Sequence, residues 1–332
     1  MLSQIIVSLS NSFHLLKRLW LPSLCAALLA MMPLAIRAQE NVDQPSATAT
    51  APEKQGGALF KISRGEGSSA HVTYLFGTIH VGKADFFPLA PEVMQALSES
   101  SKVAVEIDPT DARMMDLVQK YALYPSSQAL TDDISPSLYR NITTLLEKYH
   151  VPFDAAAPIW RMKPWLLATQ LGLYDYQTNG FTEEDGVDNY LIAFAKAQHK
   201  PIVSLERIVD QLSLLGDMSI PDQVKFLQDS VDILQDTSRA NMSLELTTLW
   251  RQGDLDGLQK LLQEMTNDGT FSGAFVQKAL LDGRNPVLAD GIEKMLAANV
   301  TSFAGIGTLH LVGANSVQML LQQRGYTVQR VY

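Results

Sequence analysis

The chain carries one short pattern twice, and the repeat constrains what it can fold into. Gly77-Thr78-Ile79-His80 follows the apolar run Val72-Thr73-Tyr74-Leu75-Phe76, and Gly307-Thr308-Leu309-His310 follows Ser302-Phe303-Ala304-Gly305-Ile306. Each copy is a strand-like run that breaks at glycine and delivers a histidine just past the strand end, with a further glycine close behind at Gly82 and Gly313. From ordinary residue usage, a Gly-Thr-apolar-His string arises by chance in roughly one per cent of chains this long, so two copies point to a device for placing imidazoles.

The segments around the first copy predict an α/β fold. Leu59–Ile62 and His71–Phe76 flank a Gly/Ser-rich turn, which predicts a hairpin whose second strand runs into His80. Pro91 to Ser100 has helical spacing and leads into Lys102-Val103-Ala104-Val105-Glu106-Ile107-Asp108, an apolar run ending in carboxylates. Strand, helix and strand in this order form a βαβ unit with parallel strands, so His80 and Glu106 emerge at carboxyl ends. A helix over 186–198 feeds Pro201-Ile202-Val203-Ser204-Leu205, which delivers Glu206. At the end, a strand over 301–306 delivers His310, a helix spans 313–324, and Tyr326–Val331 closes as a strand. Residues 111–180 and 207–298 are strongly helical in pattern, with amphipathic candidates at 222–234, 244–251, 255–265 and 286–298. The expected architecture is therefore a mixed or largely parallel central sheet flanked by helices, with a large helical insertion.

The front of the chain reads differently. Lys17-Arg18 precede an uncharged apolar stretch from Leu19 to Ile36, and Ala38 offers a small residue before Gln39-Glu40. This predicts a secretory signal peptide over 1–38, hence a periplasmic or secreted protein with no stable membrane anchor; Pro22 and Pro33 favour cleavage over a spanning helix. Cys25, the single cysteine, lies inside that stretch, so the mature chain is expected to carry no thiol and no disulfide. Residues 39–57, rich in Pro, Ser, Thr, Ala and Gly, read as a linker, and the fold is expected from 58 to 332. Apolar residues at 46% and charged ones at 18% are those of a globular protein. Cleavage would remove three bases and no acid, taking the net charge from −9 to −12, which argues against nucleic acid and anionic lipid as partners.

In open α/β sheets, ligands bind beyond the carboxyl ends of the strands, so His80, Glu106, Glu206 and His310 are candidates to share one cleft. Glu106 sits in an apolar run, where a carboxylate is costly to bury without a metal, an imidazolium or an arginine. Two imidazoles with one or two carboxylates suit a divalent transition metal (Mn, Co or Zn) with an open water position, which is hydrolytic chemistry. A metal-free general base at His80 and a non-catalytic ligand cleft stay open as alternatives. The His-Glu-x-x-His helix, the Gly-x-Ser-x-Gly elbow, the Walker loop and Gly-x-Gly-x-x-Gly do not occur, which leaves serine hydrolases, ordinary zincins, nucleotide hydrolases and dinucleotide enzymes without support.

The string Tyr-Leu-Phe-Gly-Thr-Ile-His-Val-Gly, then Val-Glu-Ile-Asp, Lys163-Pro164-Trp165, Gly186-Val187-Asp188, Leu205-Glu206, Gly283-Arg284-Asn285, the terminal Gly-Thr-Leu-His-Leu-Val-Gly and Arg324-Gly325-Tyr326 resembles the TraB/PrgY/GumN family. The resemblance runs from about residue 58 to 332, and it departs at Gly283, where relatives often carry an acid before the arginine. The broad group includes Tiki-type metalloproteases, distant erythromycin esterases that work without an obvious metal, and members that bind peptide pheromones. For this chain the resemblance implies catalytic or metal-binding roles for His80, Glu106 and His310. Glu206 is then a second acid or a partner of the ligands, and Arg284 with Asn285 steadies substrate or carboxylate. The expected substrate is a peptide or small molecule.

Overall fold

The computed structural model describes residues 56–64, 71–109, 111–152, 158–236 and 242–332. The expected signal peptide, nearly all of the expected linker and the hairpin turn at 65–70 lie outside the described residues. Of that linker, Gly56 and Gly57 are described and already packed: their amides donate to the carbonyls of Arg251 and Trp250 at 2.9 and 2.7 Å.

Six strands form one mixed sheet: β1 (Leu59–Arg64), β2 (His71–Thr78), β3 (Val103–Val105), β4 (Ile202–Ser204), β5 (Ser302–Gly307) and β6 (Thr327–Arg330). Their spatial order is β4-β3-β5-β2-β1-β6. The four strands from β4 to β2 run parallel, while β1 is antiparallel to both β2 and β6. The hairpin and the βαβ unit form as expected, but β2 and β3 are not neighbours. The strand from the far end of the chain, β5, inserts between them and pairs with both. This insertion lets His310 reach the space between His80 and Glu106.

Side chains alternate across the sheet, as the two-residue period requires. Leu75, Ala104, Ala304 and Ile306 face one layer, built by α11 (Asn285–Ala297) and α12 (Val317–Gln323) through Leu288, Ile292, Val317 and Leu321. Phe76, Val103 and Phe303 face the other, where α1 (Pro91–Glu99) and α5 (Val187–Ala197) supply Val93, Leu97 and Leu191. That second core continues into the helical insertion. There α4 (Pro164–Thr178) has ten of its fifteen residues buried, the mark of a helix surrounded on all sides. The insertion also holds α2 (Met114–Ala122), α3 (Pro136–Lys148), α6 (Ile208–Gly216), α7 (Ile220–Gln235), α8 (Met242–Gln252), α9 (Leu255–Thr266) and α10 (Phe271–Phe275), of which α7 and α8 pack against α4. A seven-residue π-helical segment, Val276–Asp282, joins α10 to α11. Among the described residues, no helix is long and apolar enough to cross a membrane.

Candidate active site

The first histidine is placed by two glycines. After β2 ends at Thr78, the chain turns through His80 to Gly82, which pairs backbone to backbone with Thr182. A Cβ on Gly82 would stand 2.0 Å from the Asp185 carbonyl oxygen, and one on Gly186 would stand 2.2 Å from that of His80. With hydrogen in both places the two backbones close up, and the Val187 amide donates to the Ile79 carbonyl at 2.9 Å. The first turn of α5 is thereby pressed against the motif, and Asp188 in that turn meets His80 Nδ1 at 2.7 Å. The Thr78 hydroxyl donates to the other oxygen of Asp188 at 2.7 Å. The Trp250 indole, fully buried on α8, donates to the Gly77 carbonyl at 2.9 Å and ties the helical layer to the same turn.

The second copy is not a structural duplicate of the first. In the β2/β5 register Gly77 lies opposite Ile306 and Thr78 opposite Gly307, so the two motifs are staggered by one residue. Gly307 ends β5, and Thr308–Leu311 form a 3-10 turn that carries His310 into full burial. The Gly307 amide donates to Glu106 Oε1 at 2.7 Å. His310 Nδ1 meets Asn285 Oδ1 at 2.5 Å, and the Asn285 amide nitrogen donates to the Asn315 carbonyl, which sets the orientation of the amide. Since Oδ1 can only accept, Nδ1 of His310 carries the proton and its Nε2 keeps a lone pair. The Nε2 atoms of both His80 and His310 are buried with no hydrogen-bond partner among the described residues.

Between the histidines and the sheet edge lies a buried cation with two carboxylates. Arg284 Nη2 donates to Glu106 Oε2 at 2.5 Å and to Glu206 Oε2 at 2.6 Å, while its Nε spans both oxygens of Glu206 at 3.2 and 3.1 Å. Gln211 of α6 adds a donor, 2.7 Å from Glu206 Oε2 and 3.4 Å from Glu106 Oε2. His310 Nε2 stands 3.7 Å from Glu106 Oε1. A cavity of about 30 Å³ bounded by His80, Glu106, Asp188 and Gln211 opens at this cluster, room for about one water.

The two imidazoles have opposite acidities. Burial works to lower the pKa of His80, but the charge and hydrogen bond of Asp188, with Glu106 behind it, outweigh that and hold it above the ordinary value. Burial dominates at His310 and, with Arg284 and His80 adding to it against Glu106, pushes its pKa down to about 3. Burial disfavours the charged form of Glu106, yet Arg284, the histidines and the Gly307 amide hold its carboxyl well below the usual range. Arg284, despite its own burial, is held above its ordinary value by Glu106 and Glu206. At neutral pH the cluster thus presents an anionic Glu106, a cationic Arg284 and a neutral His310.

All six residues singled out in the sequence come together here. Glu206 and Arg284 face the Glu106 carboxylate, and Asn285 contacts His310. Two participants carry no sequence signal of their role: Asp188, although it lies in the string Gly186-Val187-Asp188, and Gln211, which shows nothing beyond its helix. Among the described residues no three His, Cys, Asp or Glu side chains are grouped closely enough to hold a metal. The donor types are those a transition metal takes, since two imidazoles meet side-chain oxygens through Nδ1 with their Nε2 atoms unpartnered and the Glu106 carboxylate alongside, but they are not drawn up to ligating distance.

Fold and site together define an α/β protein with two histidines and an ion-paired carboxylate cluster at the carboxyl ends of parallel strands. The chain belongs to the TraB/PrgY/gumN family, whose model matches residues 58–330. It is 25% identical over 251 residues, 75% of this chain and 87% of the relative, to the uncharacterized protein YbaP of Escherichia coli (strain K12). It is 26% identical over 347 residues, 89% of this chain and 68% of the relative, to metalloprotease TIKI1 of Danio rerio. The metalloprotease TIKI homolog of Nematostella vectensis is 23% identical over 311 residues, 78% of this chain and 64% of the relative. No solved structure matches the chain.

Proposed function

We propose that the cluster is the centre of an exported, metal-dependent hydrolase that cleaves peptides. The observation that carries this reading is the pair of buried, unpartnered Nε2 atoms on His80 and His310, each on a ring whose Nδ1 meets a side-chain oxygen. Those two atoms and Glu106 Oε1, drawn closer together than they stand here, would hold a divalent Mn, Co or Zn ion. Such an ion, when bound, supplies an acidified water and a polarised carbonyl. Asp188 and Asn285 orient the imidazoles. Arg284 keeps Glu106 ionised, and the enclosing side chains limit solvent beside them. The relatives named metalloproteases support the hydrolytic class.

The test is metal analysis of the purified mature protein, with a peptide-library cleavage assay run with and without chelator. His80→Ala and His310→Ala should each lower metal content by at least about tenfold while the fold survives. N-terminal sequencing of exported material should begin near Gln39; a membrane-bound product retaining residues 1–38 would sink the export part of the reading. A metal-free hydrolase is the second reading, and the Asp188–His80 pair favours it: an imidazole whose pKa is raised by a carboxylate is built as a general base. Chelator-insensitive turnover would select it. Peptide binding without any turnover would leave a sequestering protein.

A further inference from the structure

A second cavity, about 220 Å³, is lined by Asn285, the residue whose Oδ1 meets His310 Nδ1. It is the π-helical segment that shapes it: Gln277, Leu281 and Asp282 line the cavity from Val276–Asp282, and the same segment hands the chain on to Arg284 and Asn285. Single stretches of π-helix inside α-helical runs commonly mark functional positions.

The lining has a definite chemistry. Five carboxamide residues line the space, Gln259, Gln263, Gln277, Asn285 and Asn315; the Asn285 amide is engaged at both ends, by His310 and Asn315. Leu262, Leu281 and Val312, all buried, supply an apolar floor. Asp282 is its single charged wall, and Oδ1 of that residue already accepts from Gln277 at 3.1 Å and from Asn315 at 3.0 Å. An anion entering here would meet Asp282 and no cation. A cation would find one carboxylate, one of whose oxygens already accepts two hydrogen bonds. A neutral group that both donates and accepts, on an apolar stem, is matched by the amides and the leucines alike. The cavity at the histidine–glutamate cluster holds only about 30 Å³, so it has no room for such a group.

We infer that this cavity is a binding pocket for a neutral carboxamide-bearing group, such as the side chain of a glutamine residue, seated against the π-helical segment and Asn285. Hydrogen bonds run from Gln277 through Asp282, Asn315 and Asn285 to His310, so an occupant is linked by contact to the ring that faces Glu106.

The test uses the full mature chain and N-acetyl-glutamine amide, followed by ligand-observed NMR titration. Its leucine, glutamate and lysine analogues should bind at least about tenfold more weakly, because a site built to hydrogen-bond an amide rejects groups that leave it unpaired. Ala314, exposed at the mouth, permits Ala314→Trp as a plug that leaves every carboxamide in place, and Gln263→Leu removes one amide from an exposed helix position. Both should weaken glutamine-amide binding at least about tenfold, while His80→Ala leaves it unchanged. A glutamine pentapeptide separates two sources of the group. If Ala314→Trp slows its cleavage, the carboxamide belongs to the substrate; if only the free amide is lost, it is a separate ligand. Equal binding of the leucine analogue, absence of binding, or full binding by Ala314→Trp overturns the inference. The readout is binding, so it stands or falls apart from hydrolysis.

Discussion

Replacing Arg284 with methionine tests how the site is held together. Its side chain is 6% exposed and donates to two carboxylates that are themselves 8% and 4% exposed. Met keeps most of the volume but removes the cation, leaving Glu106 and Glu206 facing each other with, among the described residues, Gln211 and the Gly307 amide as donors. Breaking a buried ion pair by deleting one partner costs about 3–5 kcal/mol, here at pH 7.5. For a fold of this size that corresponds to a fall in Tm of about 5–9 °C. The pH dependence has a defined sign. In the wild type Glu106 titrates below its unfolded value, so its contribution is present above about pH 4.5 and lost as the pH falls through the folded value. In Arg284→Met the folded value rises above the unfolded one, so acidification from pH 7 restores stability by protonating the pair. The gap between variant and wild type, measured by urea denaturation across pH 5–8, should therefore be widest at pH 7–8 and shrink to about 1–2 kcal/mol near pH 5. Adding Glu106→Gln and Glu206→Gln to Arg284→Met should recover most of the loss. A loss under about 1 kcal/mol, or a gap that does not change with pH, would refute the ion-paired description of the cluster.

Asp188→Asn keeps the shape but removes the charge that raises His80, so the acid limb of the pH–rate profile should move to lower pH and turnover should drop about 10–100-fold; an unshifted limb would detach His80 from the reaction. Glu106→Gln should lower turnover by about two to four orders of magnitude while peptide binding is largely kept, and full activity in that variant would make the carboxylate a structural partner of Arg284 only. Gly186→Ala introduces a Cβ 2.2 Å from the His80 carbonyl oxygen, so α5 must shift, at about 1–3 kcal/mol, and the Asp188–His80 contact should loosen. Wild-type stability and an unchanged His80 NMR titration in that variant would show that the close approach is not needed. Burial pushes His310 down to about 3, so its neutral form favours the fold; acidification from pH 6.5 toward 3 should cost stability that His310→Gln does not lose.

Much of the site was legible because its residues end strands. A strand that stops at glycine or in a carboxylate announces both its direction and the group it delivers, and this holds for His80, Glu106, Glu206 and His310 without knowledge of their neighbours. Helix positions were legible for a similar local reason: the expected 255–265 is observed as Leu255–Thr266, and 286–298 as Asn285–Ala297. The 313–324 expectation was longer than the observed Val317–Gln323, because Thr308–Leu311 first turn as a 3-10 segment and Gly313 adopts a left-handed φ of +86°.

What the sequence by itself determined was therefore the set of local decisions: which runs form strands, where they stop, and which chemical groups stand at their ends. Period, glycine placement and the cost of an unpaired carboxylate are properties of neighbouring residues, and they act before any long-range contact forms. Tertiary structure alone decided that β5 enters between β2 and β3, that the two motifs sit one residue out of register, and that Asp188 rather than a carboxylate of the same strand braces His80. These depend on contacts 108 to 229 residues apart, from Asp188 on His80 to Ser302 on Thr73. Such contacts follow from how whole layers pack, and no local pattern of side chains encodes them.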